Sequence, residues 1–228
     1  MSEFVIAPPP VAAIPVAGSD ARFPVRRVYC IGRNYAAHAV EMGHDPNKEP
    51  PFFFQKNPDN LDSSGAFPYP VKSSDVHHEV EMVVALKSGG TSIPIDHALD
   101  HIWGYGVGLD MTRRDLQGIA KDMGRPWEIG KAFERSAPGG PLHPVSAVGH
   151  PSSGAITLDV NGERKQTGEL NQMIWKVPEM ISYLSDYFEL AAGDIILSGT
   201  PSGVGPVVKG DKLEARIDGL EPLVVTVV

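Results

Sequence analysis

The strongest constraint on the fold is the even spread of residues that break regular structure. The chain has 228 residues, and 24 glycines and 21 prolines are distributed along its length. Because glycine and proline interrupt helices and strands, such a chain is divided into short segments joined by many turns. We therefore predict an α+β fold dominated by strands, with one compact domain at residues 25–228. Residues 1–24 are predicted to form an extended, proline-rich lead-in outside the core.

Apolar runs place the main elements. The runs RVYCIG (27–32), HEVEMVVAL (78–86) and WGYGVGLDMT (103–112) are predicted to be strands. Glycines alternate along the third run, which indicates that a ligand or another backbone comes close to it. The segment VPEMISYLSDYFEL (177–190) predicts a helix. Its expected apolar face comprises Met180, Ile181, Leu184, Tyr187 and Phe188.

Charge and composition argue against several functional classes. A formal net charge of −8 without a long basic run is unfavourable for binding nucleic acid or anionic membranes. No apolar stretch approaches the roughly 18 residues of a membrane span, and the N-terminus lacks the pattern of a signal peptide. The single cysteine, Cys30, excludes an intrachain disulfide, and its apolar neighbours favour a small buried residue over a nucleophile. We expect a cytoplasmic protein.

The segment HHEVEM (77–82) places Glu79 and Glu81 two residues apart at the start of an apolar run. On a strand, both side chains point to the same face, with their Cα atoms roughly 6–7 Å apart. Like charges on a partly buried face need a proton, a basic partner or a cation nearby. The simplest alternative is an edge strand whose acidic face is solvated.

Asp110 ends a second apolar strand and supplies a third carboxylate. Three carboxylates at strand ends would suit a hard dication such as Mg²⁺ or Mn²⁺ and leave positions for substrate and water. His77 shares the strand face of the two glutamates, so a His-Glu-Glu set for zinc or iron is also compatible with the spacing.

Two further segments carry candidate chemistry. His38 and Glu41 lie three residues apart on a predicted helix, where a carboxylate can orient a histidine that acts as a general base; an ordinary surface pair is the alternative. In SGTPSG, Thr200 and nearby backbone N–H groups can hold a carboxylate, or the segment is a plain glycine turn. Lys131 is a surface lysine or a buried partner for an anion.

The chain resembles the fumarylacetoacetate hydrolase family in seven segments that occur in the same order. They are GRNYAAHAVEMG, FFFQKNPDN, HHEVEM, GLDMTRRDLQ, PWEIGKAF, VNGERKQTG and GDIILSGTPSGVGPV. The resemblance extends from about Arg27 to the C-terminus. The small size resembles the acylpyruvase branch, and the lead-in together with VEMG and EPPFFFQKNPDN resembles bacterial hydrolases of fumarylpyruvate. The resemblance implies a mixed β-roll with short flanking helices, and a homodimer.

The resemblance also assigns roles to residues. It implies that Glu79, Glu81 and Asp110 are the metal ligands, which makes His77 a neighbour, and that His38, Glu41 and Lys131 are catalytic. The resemblance further implies that the substrate is contacted by Arg33, Lys56, Arg114, Gln117 and Thr200. Differences from relatives at QKNPDN and after the lysine in GKAFERSAP affect the expected substrate and leave metal binding unchanged.

The implied reaction is hydrolysis of a C–C bond in a 3-acylpyruvate, with 3-fumarylpyruvate giving fumarate and pyruvate, as in aromatic catabolism through gentisate. His38, oriented by Glu41, would deprotonate water, and Mg²⁺ or Mn²⁺ would act as a Lewis acid. Alternatives within the family are an oxaloacetate decarboxylase and an oxo-acid isomerase or hydratase. Outside enzymes, the alternative is a metal-stabilised binding domain.

Overall fold

The computed structural model describes residues 4–36 and 51–228. Strands dominate this part of the chain. They are β1 (Ala13–Pro15), β2 (Arg22–Pro24), β3 (Arg27–Gly32), β4 (Phe52–Lys56), β5 (Leu61–Asp62), β6 (Ala66–Phe67), β7 (Val76–His78), β8 (Val80–Leu86), β9 (Ile102–Leu109), β10 (Thr112–Arg113), β11 (Ala137–Pro138), β12 (His143–Pro144), β13 (Ala155–Val160), β14 (Glu163–Glu169), β15 (Asp194–Leu197), β16 (Gly205–Pro206), β17 (Lys212–Ile217) and β18 (Leu223–Val227).

The helices are short and lie between the strands. The α-helices are α1 (Arg114–Asp122), α2 (Glu128–Lys131), α3 (Val145–Val148) and α4 (Val177–Tyr187), and 3₁₀ turns occur at Pro58–Asn60, Ile95–His101 and Leu170–Gln172. No helix in the described ranges is long and apolar enough to cross a membrane. The architecture is the strand-dominated α+β fold that the sequence predicts.

The central sheet is mixed. Among the described residues it has six strands in the order β12-β9-β8-β15-β3-β4. Strand β15 runs parallel to β3 and antiparallel to β8, and the other neighbours are antiparallel. Strand β8 is therefore an interior strand, and all of its residues are buried. This excludes the alternative in which Glu79 and Glu81 begin a solvated edge strand.

A second sheet covers one face of the central sheet. Its order is β14-β13-β17-β18-β6. Because side chains alternate along a strand, one set from each sheet points into the shared interior. The main buried cluster accordingly combines Met82, Val84, Val107 and Leu109 of the central sheet with Ile156, Leu158, Leu213, Ala215 and Val225 of the second sheet.

The N-terminal segment covers the opposite face of the central sheet. Strands β1 and β2 form an antiparallel ribbon. Ile14 and Phe23 of this ribbon, followed by Val25, pack with Cys30 and Val83 in a second buried cluster. The lead-in therefore contributes core residues from Ile14 onward, contrary to the expectation that it stays outside the core. The boundary at residue 24 stays a prediction. Cys30 is buried, as predicted, and burial raises the pKa of its thiol.

Helix α4 packs on the main cluster through Met180, Ile181 and Leu184, which are buried. Phe188 packs against the same cluster while partly buried. Tyr187 is 62% exposed, so its assignment to the apolar face is wrong. The helix ends at Tyr187, and the exposed ring lies against Phe53 and Tyr183 at centroid distances of 5.7 and 5.2 Å.

The predicted strand at 78–86 divides at Glu79. Strand β7 precedes this residue and pairs with β10 and β16, whereas β8 follows it and pairs with β9 and β15. The backbone N–H of Asp110 donates to the Glu79 carbonyl oxygen at 2.8 Å. The chain thus passes from one sheet to another at the point where the acidic residues meet.

Candidate metal centre and active site

Glu79, Glu81 and Asp110 converge at this junction. Their side chains are buried, with residue exposures of 5%, 2% and 0%. One carboxylate oxygen from each residue lies within 4.8 Å of the others. Alternation along the strand brings the two glutamates to one side, and the end of β9 delivers the aspartate beside them. The group is an all-oxygen donor set of the kind that hard dications prefer.

Lys131, at the end of α2, holds two of these carboxylates together. Its Nζ donates to Glu79 Oε2 at 2.9 Å, to Asp110 Oδ2 at 2.7 Å and to Thr112 Oγ1 at 2.7 Å. An ammonium group has three protons, and these three bonds use all of them. Burial alone would lower the pKa of Lys131, but the charges of Asp110 and Glu79 outweigh it and the pKa is raised. Of the two open readings, Lys131 is the buried partner of anions.

Lys56 supports Asp110 from behind. Its side chain has no exposed surface, and its Nζ lies 2.9 Å from Asp110 Oδ1. Its donated hydrogen bonds go to Met111 O at 3.2 Å, to Ser136 Oγ at 3.0 Å and to the carbonyl oxygen of Lys131. Lys56 is buried outside the cleft lining, so this position favours support of Asp110 and Lys131 over the predicted substrate contact.

Lys56 and Lys131 contact Asp110, and Lys131 also contacts Glu79, but no cation within the described ranges pairs directly with Glu81. Because the Lys56 protons are directed elsewhere, Asp110 Oδ1 is buried without a hydrogen bond from any described residue. Glu81 Oε2 accepts one bond from the Gly199 backbone N–H at 2.7 Å. Burial, and then the charges of Asp110 and Glu79, raise the pKa of Glu81 well above its usual value. A dication fits this side of the site because it would contact Asp110 Oδ1 and oppose the repulsion of Glu81 by Asp110 and Glu79.

Arg114, at the start of α1, contacts the acidic group through Glu79. Its guanidinium pairs with Glu79 Oε1 and donates to Gln117 Oε1 at 2.6 Å. His77 lies behind it: Arg114 Nε donates to His77 Nδ1 at 3.4 Å, and His77 Nε2 is 2.8 Å from Asp75. Both ring nitrogens of His77 thus have partners outside the acidic group. This position does not favour the alternative in which His77 is a zinc or iron ligand.

An open cleft leads to the acidic group. The carboxylates lie at its base, and Arg33, Arg114 and Lys121 bring positive charge to it. Burial, followed by repulsion from Arg33 and Arg114, lowers the pKa of Lys121. The apolar wall comprises Phe52, Phe54 and Trp127. The cleft is therefore shaped for an anion that also carries a flat or apolar portion.

The predicted site residues otherwise divide into two sets. The structure gathers most of them at the cleft lining, namely Arg33, Glu79, Glu81, Asp110, Arg114, Gln117, Lys131 and Thr200. His38 and Glu41 lie outside the described residues, so their roles stay predictions.

Gln166 is a site residue that the sequence reasoning missed. It lies on β14, where most residues are exposed, yet its side chain is completely buried. Its amide bonds to Thr200 Oγ1 at 2.8 Å. The available signal was the strand alternation, which points Gln166 inward from a polar strand.

Comparisons with known proteins agree with this geometry. The family model described as fumarylacetoacetate (FAA) hydrolase C-terminal matches residues 27–228. A crystal structure of fumarylpyruvate hydrolase from Pseudomonas aeruginosa in complex with Mn²⁺ and pyruvate has 53% sequence identity and a TM-score of 0.97, covering 99% of both chains.

Two curated relatives differ in their activity. Fumarylpyruvate hydrolase of a Ralstonia species is 44% identical over 184 residues, which are 80% of this chain and 95% of the relative. A mitochondrial oxaloacetate tautomerase of Arabidopsis thaliana is 42% identical over 194 residues, which are 85% of this chain and 87% of the relative.

Proposed function

The chain belongs to the fumarylacetoacetate hydrolase family, and from that premise we propose that it hydrolyses a C–C bond in 3-fumarylpyruvate, releasing fumarate and pyruvate. The observation that carries the proposal is the buried group of Glu79, Glu81 and Asp110 at the base of a cleft with basic and aromatic walls. The similarity to fumarylpyruvate hydrolases of a Ralstonia species and of Pseudomonas aeruginosa supports it.

Glu79, Glu81 and Asp110 are proposed to hold Mg²⁺ or Mn²⁺. When bound, the ion supplies Lewis-acid stabilisation of negative charge on the 2-oxo and carboxylate oxygens of the substrate. Lys131 holds the Glu79 and Asp110 carboxylates in place, because its ammonium group donates a hydrogen bond to each of them.

His38 is proposed to remove a proton from water, with Glu41 orienting the imidazole. The resulting hydroxide adds to the distal ketone carbon. When the C–C bond then breaks, its electron pair stays with the pyruvate portion, and the proton taken from water is returned to the carbon that carries this pair to give pyruvate. No residue needs to form a covalent bond with the substrate, in agreement with the burial and raised thiol pKa of Cys30.

The charges of the cleft favour a substrate with two anionic ends. Arg114 lies beside Glu79, whereas Arg33 stacks over the Phe52 ring at 5.1 Å on the aromatic wall. We propose that the pyruvate end lies toward the carboxylates and that the fumaryl carboxylate lies toward Arg33 and Lys121. Burial, followed by repulsion from Arg33 and Arg114, lowers the pKa of Lys121, and an anion at that end would oppose the repulsion.

A second candidate is action on oxaloacetate, by tautomerisation or decarboxylation. The tautomerase relative favours it, and the same acidic group would serve it. Oxaloacetate is shorter, however, and makes less use of the aromatic wall.

Parallel assays with 3-fumarylpyruvate and oxaloacetate separate the two candidates. With Mg²⁺ or Mn²⁺, we expect the diketone ultraviolet absorbance to fall, with fumarate and pyruvate formed in equal amounts, and EDTA to stop the reaction. Faster turnover of oxaloacetate than of 3-fumarylpyruvate would favour the second candidate. Absence of turnover with both would contradict the proposal and favour a binding domain.

We further propose a cytoplasmic homodimer that acts in aromatic catabolism through gentisate. Sedimentation velocity tests the assembly, since a homodimer has twice the mass of the single chain.

A further inference from the structure

Gln166 makes a complete set of hydrogen bonds inside the protein. Its Oε1 accepts from the Val80 backbone N–H at 3.1 Å and lies 3.0 Å from His78 Nδ1. Its Nε2 donates to Thr200 Oγ1 and to the Pro201 carbonyl oxygen, both at 2.8 Å. The amide therefore joins β14, the start of β8 and the loop that follows β15.

The backbone partners fix the direction of this amide. Side-chain oxygen and nitrogen are alike in shape, so their positions follow from the hydrogen-bonding partners. The Val80 N–H can only donate, and the Pro201 carbonyl can only accept. The reversed amide would place like groups against each other at both positions. His78 Nδ1, which lies 3.0 Å from the amide oxygen, can donate to it in this orientation.

The orientation of the Gln166 amide determines that the Thr200 hydroxyl is an acceptor toward Gln166. The Thr200 hydroxyl oxygen accepts a hydrogen bond from Gln166 Nε2, so the hydroxyl proton is available for donation to another acceptor. Thr200 is 3% exposed and lines the cleft, and its hydroxyl donates to no acceptor within residues 4–36 and 51–228. Its neighbour Gly199 donates to Glu81, so this hydroxyl lies at the Glu81 end of the cleft.

We propose that Gln166 is a positioning residue that makes the Thr200 hydroxyl a hydrogen-bond donor to the carboxylate at the pyruvate end of the substrate. This inference rests on the proposed function for the identity of the substrate. It differs from a purely structural role for Gln166, which would affect stability and leave substrate affinity unchanged.

Steady-state kinetics of Gln166→Glu and Thr200→Val test the proposal. The carboxylate that Gln166→Glu introduces would accept a hydrogen bond from the Thr200 hydroxyl and turn its O–H away from the cleft, and Thr200→Val removes the hydroxyl. Each change should raise KM for 3-fumarylpyruvate about 10- to 100-fold, as expected for a hydrogen bond to a charged group. The value of kcat should stay within about threefold, because the bond is present in both ground and transition states.

The double variant shows whether Gln166 acts through Thr200. If it does, Gln166→Glu adds no further rise in KM once Thr200 is replaced by valine. Thr200→Ser should restore the wild-type KM. The inference would be overturned if the rise in KM of the double variant equalled the product of the two single rises, or if KM were unchanged in either single variant.

Three controls separate the possible causes of failure. Gln55→Glu makes the same chemical change at an exposed position and should leave KM unchanged. If Gln166→Glu folds poorly, Gln166→Met replaces it in the cycle and must show the same dependence on Thr200. Calorimetric binding of pyruvate to the Mn²⁺-loaded proteins repeats the comparison without turnover. An inactive wild type that still binds pyruvate more tightly than Thr200→Val would therefore contradict the proposed function alone.

Discussion

At the scale of single residues, two buried ammonium groups hold the acidic site in place. Lys131 contacts Glu79 and Asp110 directly, and Lys56 connects Asp110 with the backbone carbonyl groups of Met111 and Lys131 and with Ser136. Neither lysine has a free proton for another acceptor. Their positive charges compensate carboxylates that would otherwise be too costly to bury.

Lys56→Met should destabilise the protein strongly. The substitution removes a buried charge partner of Asp110 and the hydrogen bonds that Lys56 donates to Met111, Lys131 and Ser136. We expect the free energy of unfolding in urea to fall by about 3–5 kcal/mol. Lys165→Met is the matched control, since Lys165 pairs with Glu163 at the surface and should cost less than about 1 kcal/mol. Equal effects of the two substitutions would show that Lys56 has no special role.

His38→Ala should lower kcat by about 10²–10⁴-fold, the usual contribution of a general base. Binding of Mn²⁺ should be unchanged, because His38 is not among the proposed ligands. His97→Ala, at an exposed histidine, serves as the control for the rate. Full hydrolytic activity of the His38 variant would show that another group activates the water.

At the scale of elements, the glycines of β9 allow a second segment of backbone to lie on the strand. A Cβ at Gly104 would lie 2.1 Å from the His143 carbonyl oxygen, and one at Gly106 would lie 3.1 Å from the Pro141 carbonyl oxygen. The prediction of a close backbone along this strand is confirmed. The absence of side chains here lets residues 138–144 pack beside the strand that carries Asp110.

Gly104→Ala should therefore destabilise the fold. Backbone atoms must move to admit the methyl group, and we expect a loss of about 1–3 kcal/mol, as for other overpacking changes. Gly118→Ala provides the contrast, because this position in α1 has open space around the added Cβ. There, alanine should stabilise by up to about 1 kcal/mol through its helix propensity. Thermal unfolding of both variants checks the prediction, which fails if Gly104→Ala is neutral.

Local patterns identified the acidic group but could not identify its supports. Alternation places Glu79 and Glu81 on one face, and the end of an apolar run marks Asp110. The partnership of Lys131 with both, and of Lys56 with Asp110, depends on how separate elements pack, and an isolated lysine in a sequence carries no such information. The break at Glu79 was equally hidden, because β7 and β8 share one continuous alternation and differ only in their neighbours.

At the scale of the whole molecule, the central sheet is covered on both faces. The second sheet and α4 cover one face, and the N-terminal ribbon covers the other. Proline within residues 7–15 suggested an extended lead-in. Its burial was not predictable, because β1 and β2 are too short to show a clear apolar alternation.

Ile14→Ala should reveal the contribution of the ribbon to global stability. Ile14 is completely buried against the central sheet, and its truncation should cost about 2–5 kcal/mol. Val11→Ala, at an exposed position just before the ribbon, should change stability by no more than about 0.5 kcal/mol. Urea unfolding measures both, and a neutral Ile14→Ala would mean that the ribbon does not cover the core in solution.

The central claim is that Glu79, Glu81 and Asp110 bind one divalent cation. Calorimetric titration of Mn²⁺ into the metal-stripped wild type, Glu81→Gln and the exposed-site control Glu163→Gln tests it most directly. We predict one Mn²⁺ per chain in the wild type and in the control, with an affinity at least about 100-fold lower in Glu81→Gln, beyond the usual effect of outer-shell changes. No binding to the wild type at millimolar Mn²⁺, or equal affinity in all three proteins, would contradict the account.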